Sequence, residues 1–340
     1  MQALLKHAKG PGNIELRNVP EPQILPNQVK IRVKAAGICG TDIHILHDRF
    51  RNRPPVIVGH EYAGEIVETG SNVKKLRTGN RVVAGNPAHT CGNCFYCKMD
   101  NPYLCAEYIG RGYFIDGGLA EYVAVEEDCC HVIPDGVSFE QASLCEPLAG
   151  VLHGLTERIS IKPGNLVLIC GAGSIGILSA KVAMIQGAIV LITGLSRDQH
   201  RLKIAKEMGV DAVINIETEN LKSIVSRFSV LGPDIVVECA GSKRAFNEAL
   251  EIVRKGGTVL QLGIYPGVFE TDVNQLVMKE LSVLGTYGQS WQCWETALGL
   301  MQNGKIDMNL LIDDIMPLTQ WRKGFELMES GKALKVILKP

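Results

Sequence analysis

The chain lacks an excess of either charge: 35 Lys and Arg face 36 Asp and Glu, for a formal net charge of -1. Such a balance creates no global field to draw in nucleic acid or an anionic membrane. It has no apolar run long enough for a transmembrane helix, and the opening Met1-Gln-Ala-Leu-Leu-Lys-His has no secretory h-region. Repeats, low-complexity tracts and long flexible linkers are also missing. The expectation is a cytoplasmic chain whose partner is a small neutral or zwitterionic molecule, with no nucleic acid and no membrane.

At 340 residues the chain is better read as two domains than as one core. From Val29 to about Val125, short β-rich runs such as Val29-Lys-Ile-Arg-Val are broken by Gly, Pro and Asn. This predicts an irregular β domain. After Pro163-Gly164 apolar strands alternate with helical patterns. Strands are expected at Leu166 to Cys170, Ile189 to Thr193, Ala212 to Ile214, Ile235 to Cys239, Thr258 to Leu262 and Leu281 to Leu284. Helices are expected at Ile175 to Met184, His200 to Met208, Leu221 to Phe228 and Ala245 to Val253. That series predicts a doubly wound α/β sheet. The tail after about Tyr287 resumes mixed helix and strand.

Cysteine carries the strongest local signal. Cys91, Cys94, Cys97 and Cys105 have the spacing of a closed tetrahedral Zn²⁺ site, which organises a loop and leaves no open position for chemistry. With no sign of export, metal is a better reading of these thiols than disulfides. Of the 11 cysteines, Cys129, Cys130, Cys145, Cys170, Cys239 and Cys293 mostly sit among apolar neighbours and are expected to be buried free thiols.

Gly171-Ala-Gly173-Ser174-Ile175-Gly176 lies between a strand and a helix, as a dinucleotide loop must. The first glycine permits the turn, the second admits a pyrophosphate and the third lets helix pack on strand, while backbone N–H groups at the helix start hold phosphate. The next strand ends Ile192-Thr193-Gly194-Leu195-Ser196-Arg197, without the carboxylate that normally binds the adenosine ribose. Gly194 is expected to leave room, and Ser196, Arg197 and Arg201 to bind a 2′-phosphate, which favours NADP(H) over NAD(H). Upstream, Cys39 and His60 offer two ligand types for a second, reactive zinc, which needs about three protein ligands and an open position.

Together these segments resemble the zinc-containing medium-chain dehydrogenases/reductases over nearly the whole chain: GICGTDIH from Gly37, GHEYAGEIVETG from Gly59, the four-Cys lobe, the GAGSIG loop and Val236-Val-Glu-Cys-Ala-Gly241. The resemblance implies a GroES-like catalytic domain at 1–148 with a zinc lobe at 89–107, a Rossmann domain at 149–286, and a return to the catalytic domain at 287–340. It further implies two zinc ions per chain. Cys39 and His60 match catalytic zinc ligands, Glu61 matches a direct or exchanging ligand, and Glu146 in Glu146-Pro147-Leu148 matches the ligand of the polyol and threonine dehydrogenase branches. Thr41 and His44 match the residues that pass the substrate proton to solvent, with Asp42 orienting the segment.

The implied activity is hydride transfer between a polyol or other secondary alcohol and NAD(P), in a homodimer or homotetramer. The stretch from Gly285 to Trp291 lacks the Arg-Tyr pair of mammalian sorbitol dehydrogenases. The Trp294-Glu-Thr segment and the run Leu262-Gly-Ile-Tyr-Pro-Gly267 resemble L-threonine 3-dehydrogenase, the alternative activity. A zinc-ribbon nucleic-acid-binding protein is the non-enzymatic alternative, and the balanced charge argues against it.

Overall fold

Alternation sets the central strand of the first unit. In Gln28–Gly37 the side chains of Val29, Ile31, Val33 and Ala35 are buried at every second position, as one face of a pleated strand requires. Its last residues, Ala36 and Gly37, are buried as well, so the strand runs into the interior as it approaches Cys39. This computed structural model describes residues 1–265 and 267–340; Pro266, in the run likened to threonine dehydrogenase, lies outside them.

The chain forms two compact units, Met1–Pro147 with Ser290–Pro340, and Leu148–Gln289. Among the described residues, the first unit holds a seven-stranded sheet. Gln28–Gly37 pairs antiparallel with Glu61–Thr69, and its register sets Gly37 opposite Glu61. That single pairing brings the Cys39 and His60 segments side by side. The last strand, Lys335–Lys339, pairs antiparallel on the other edge of Gln28–Gly37, with Ile337 opposite Gly37. The end of the chain therefore reaches the same corner of the sheet. Leu4, Ile31, Ile66, Val82, Trp321, Phe325 and Val336 share the core beneath it.

The second unit carries a six-stranded parallel sheet in the order Ala212–Asn215, Ile189–Gly194, Leu166–Cys170, Ile235–Glu238, Thr258–Gln261, Ser282–Gly285. This is the doubly wound architecture expected from the sequence. Every residue of Leu166–Cys170 is buried, the mark of a central strand covered on both faces. Chain order reverses between Leu166–Cys170 and Ile235–Glu238, which places a switch-point crevice beside the glycine loop. The helices Ser174–Ile185, Gln199–Met208 and Lys243–Ile252 supply its main layers, and no helix of the described residues is long and apolar enough to cross a membrane.

Candidate active site and metal centres

Cys39 immediately precedes the short helix Gly40–Leu46, and Asp42 in its first turn is fully buried. One Asp42 carboxylate oxygen accepts the Cys39 N–H at 2.9 Å and the other accepts the Gly59 N–H at 3.2 Å. A single side chain thus ties together the two segments that carry ligand-type residues. Gly59 has φ +93, and a Cβ there would lie 2.5 Å from the Leu119 side chain; only glycine presents His60 from this turn.

Cys39 Sγ, a His60 ring nitrogen and a Glu61 carboxylate oxygen all lie within 4.8 Å of one another. His60 is buried, and its Nδ1 has no hydrogen-bond partner. Burial opposes a charge on this imidazole, yet Cys39, Asp42 and Glu146 together hold its proton affinity well above the usual value. Burial likewise pushes the Asp42 carboxyl upward. The corner is built to receive positive charge, and thiol, imidazole and carboxylate are zinc donors. These residues fit a zinc ion.

Glu146 sits in the first turn of the helix Cys145–Leu152. It stands outside the mutually adjacent triple but is close enough to act on His60, and its Oε1 accepts from Asn86 Nδ2 at 2.8 Å. Glu61 is buried with both carboxylate oxygens hydrogen-bonded to Lys335 Nζ. Neither Lys335 nor Asn86 belongs to a ligand motif recognisable in the sequence; only the fold brings them to these carboxylates. Thr41 is half-buried, and His44, one turn further on, is exposed. Partial burial, Arg49 and His47 shift the His44 imidazole downward.

The four-Cys lobe closes as its spacing predicts. Sγ atoms of Cys91, Cys94, Cys97 and Cys105 lie within 4.8 Å of one another. Cys94 and Cys97 are 3.5 Å apart, Cys91 and Cys105 3.6 Å, and Cys91 and Cys97 4.0 Å, well beyond the ~2 Å of a disulfide. Backbone N–H groups point at sulfur: Cys94 N donates to Cys91 at 3.3 Å, and Cys91 N and Glu107 N donate to Cys105 at 3.4 Å. Such bonds from Asn93 and Cys94 bring the Cys91 thiol down to about 7, favouring the thiolate a metal needs. Of the remaining cysteines, Cys130, Cys145, Cys170 and Cys293 are buried and Cys129 and Cys239 half-buried, and among the described residues they form no disulfide.

In the second unit Gly171 turns at φ +105, and a Cβ on Gly176 would lie 1.8 Å from the Gly171 carbonyl oxygen. Gly173 faces open space and precedes Ser174–Ile185 without a side-chain cap, leaving Ser174, Ile175 and Gly176 at an uncapped helix start. This cradle fits a pyrophosphate. Beside it, the buried Glu238 accepts the Ala240 N–H at 2.9 Å and the Gly241 N–H at 3.2 Å, fixing the neighbouring strand end.

Gly194 departs from the expectation that it leaves room for a phosphate. A Cβ there would lie 2.9 Å from Leu202 and 3.3 Å from Asp198, so the missing side chain admits packing from the following helix rather than a phosphate. Arg201 is engaged at 3.3 Å with Asp198, while Ser196 and Arg197 are exposed. Trp294 is buried against His131 with stacked rings 5.3 Å apart, whereas the more exposed Trp291 lies 3.8 Å from the same imidazole.

Comparison with known proteins agrees with this geometry. The alcohol dehydrogenase GroES-like domain family matches residues 25–135, and the zinc-binding dehydrogenase family matches residues 174–303. A sorbitol dehydrogenase of Halalkalibacterium halodurans is 38% identical, covering 100% of this chain and 99% of that protein. An L-threonine 3-dehydrogenase of Rhizobium johnstonii is 36% identical over 99% of this chain and 98% of its own length. The crystal structure of a zinc-binding dehydrogenase from Sinorhizobium meliloti 1021 bound to NADP superposes with a TM-score of 0.92 at 32% identity, covering 100% of this chain and 99% of that one.

Proposed function

The chain belongs to the zinc-binding medium-chain dehydrogenases, and on that premise we propose that it oxidises a polyol or other secondary alcohol to the ketone, with NADP(H) favoured over NAD(H). The observation that carries the reading is the convergence of Cys39, His60 and Glu61 on one buried corner. Cys39 and His60 hold the catalytic zinc, and Glu61 and Glu146 are the carboxylates available to complete its shell. Zinc supplies Lewis acidity there, lowering the pKa of a substrate hydroxyl. A nicotinamide dinucleotide held on the glycine loop Gly171–Gly176 would supply the hydride-accepting chemistry.

The chain's own residues then manage the proton. The Thr41 hydroxyl takes it from the substrate hydroxyl while giving up its own proton toward the cofactor ribose, and the His44 imidazole accepts the proton there and releases it to water. His44 is suited to this because partial desolvation, Arg49 and His47 lower the proton affinity of its imidazole, favouring the neutral form that can accept. Thr41 and His44 are three positions apart in Gly40–Leu46, so they share a helix face. Cys91, Cys94, Cys97 and Cys105 hold the second zinc, which is structural.

The NADP(H) preference is supported by the absence of a carboxylate on strand Ile189–Gly194, by the exposed Arg197 beyond it, and by the similar Sinorhizobium protein that binds NADP. A homodimer or homotetramer in the cytoplasm belongs to the same reading; Ser282–Gly285 ends the parallel sheet with an exposed strand able to pair with a second copy. The 36% identity to an L-threonine 3-dehydrogenase favours threonine as a second substrate reading.

A spectrophotometric panel of polyols, secondary alcohols and L-threonine with both NAD⁺ and NADP⁺ tests substrate and cofactor together. The expected result is oxidation of a vicinal diol or polyol by protein carrying two zinc ions per chain. Turnover of threonine alone would replace the substrate assignment; no oxidation by fully loaded protein would end it.

A further inference from the structure

The strand Ile189–Gly194 ends without a carboxylate of its own, but one reaches its tip from the neighbouring strand. Glu217, in the turn after Ala212–Asn215, accepts the backbone N–H of Ser196 through Oε2 at 2.7 Å. The parallel register sets Gly194 opposite Asn215 and so fixes the two strand ends side by side. Asn215 locks the turn: its Nδ2 donates to Ser196 Oγ at 3.1 Å, and its Oδ1 accepts the Glu217 N–H at 3.1 Å. The Ser196 backbone and side-chain bonds, with Arg244 and Arg197, hold the Glu217 carboxyl below its usual range.

A backbone N–H, a serine hydroxyl and nearby guanidinium groups are the chemistry that receives a phosphate monoester. In this structure a carboxylate holds that place. Glu217 is exposed and tethered mainly through Ser196, so its side chain can swing into water without opening the core. We propose that Glu217 is a specificity-determining residue whose carboxylate occupies the seat of the adenosine 2′-phosphate and must yield it for NADP(H) to bind. NAD(H), with a hydroxyl at that position, leaves the carboxylate where it is. The donors at the seat therefore favour the phosphorylated cofactor while Glu217 moderates that preference. The inference rests on the cofactor assignment proposed above.

The test is a titration of the zinc-loaded protein with NADPH and with NADH, read by the fluorescence of the reduced nicotinamide, for the wild type, Glu217→Gln and Arg197→Gln. Glu217→Gln keeps the side chain's length and an acceptor oxygen but removes the charge. It is expected to tighten NADPH by about fivefold, the order of one like-charge contact at an exposed site, with NADH changed less than about twofold. Arg197→Gln is expected to weaken NADPH selectively.

If the wild type prefers NADPH but Glu217→Gln leaves both affinities unchanged, the inference is overturned and the cofactor assignment stands. Selective weakening of NADH in Glu217→Gln would also overturn it, since Glu217 would then be the acceptor for the ribose hydroxyl. A wild type that prefers NADH, with NADPH nevertheless tightened in Glu217→Gln, would overturn the cofactor assignment and leave the inference intact. Failure of NADPH to bind either protein would overturn both.

Discussion

Lys335 Nζ lies 2.5 and 2.6 Å from the two carboxylate oxygens of Glu61, with both side chains buried. The same ammonium donates to the carbonyl of Ile38 at 3.3 Å, next to Cys39. Burial works against its charge, but Glu61, Cys39 and Glu146 raise its proton affinity above the ordinary lysine value. The final strand of the chain therefore supplies the cation that neutralises a ligand-type carboxylate. Lys335→Met leaves Glu61 as an uncompensated buried charge, for which the expected loss is about 3–5 kcal/mol. Urea unfolding of protein whose catalytic zinc has been removed by mild chelation measures it, because a zinc ion beside Glu61 would itself compensate the charge, with Lys335→Arg expected to restore part of the loss.

Asp42 is predicted to be structural as well as electrostatic. Asp42→Ala orphans the N–H groups of Cys39 and Gly59, at about 1–3 kcal/mol for each group left buried and unsatisfied. It should also loosen the spacing between Cys39 and His60. Chelator competition on the variant is expected to show faster release of one zinc while the other is retained.

The two metal centres should separate by mutation. Cys39→Ala is expected to remain folded, keep the zinc of the four-Cys lobe and lose catalysis. Cys97→Ala is expected to lose the lobe's zinc and to melt at lower temperature. Metal analysis combined with circular dichroism melting decides; equal loss of folding in both variants would contradict the division of roles.

The acid limb of the pH profile should belong to His44. Its pKa is shifted downward by partial burial, Arg49 and His47, so the imidazole is neutral and able to accept a proton above that lowered value. As pH falls through it, His44 becomes protonated and kcat/KM declines, at a pH below the ~6.5 of an ordinary histidine. His44→Asn is expected to lower kcat and to remove this limb. Persistence of the limb in the variant would assign it to another group.

The dinucleotide loop should tolerate no side chain at its third glycine. Gly176→Ala places a methyl group 1.8 Å from the Gly171 carbonyl oxygen. The helix must shift, at about 1–3 kcal/mol. Thermal melting and cofactor titration should both register the change, the second because the displaced helix start carries the phosphate-binding N–H groups.

The sequence by itself determined whatever depends on short separations along the chain. Four thiols between Cys91 and Cys105 can meet only around a small centre, and a glycine loop between an apolar strand and a helix has few uses. The alternation of strand and helix in the second unit was legible for the same reason, since it marks a parallel doubly wound sheet, whereas the step from Ala212–Asn215 across to Ile235–Glu238 belongs to the fold. Tertiary structure alone decided which distant side chains complete these sites. Lys335 meets Glu61 because the last strand pairs with Gln28–Gly37, and Glu217 meets Ser196 because Asn215 stands opposite Gly194. Gly194 reads in the sequence as room for a phosphate, but in the fold the side of Gly194 that a Cβ would occupy is taken by Leu202. Periodicity marks which face of a strand is buried; the partner across that strand is set by sheet register and packing, and neither is written in the residues on one side.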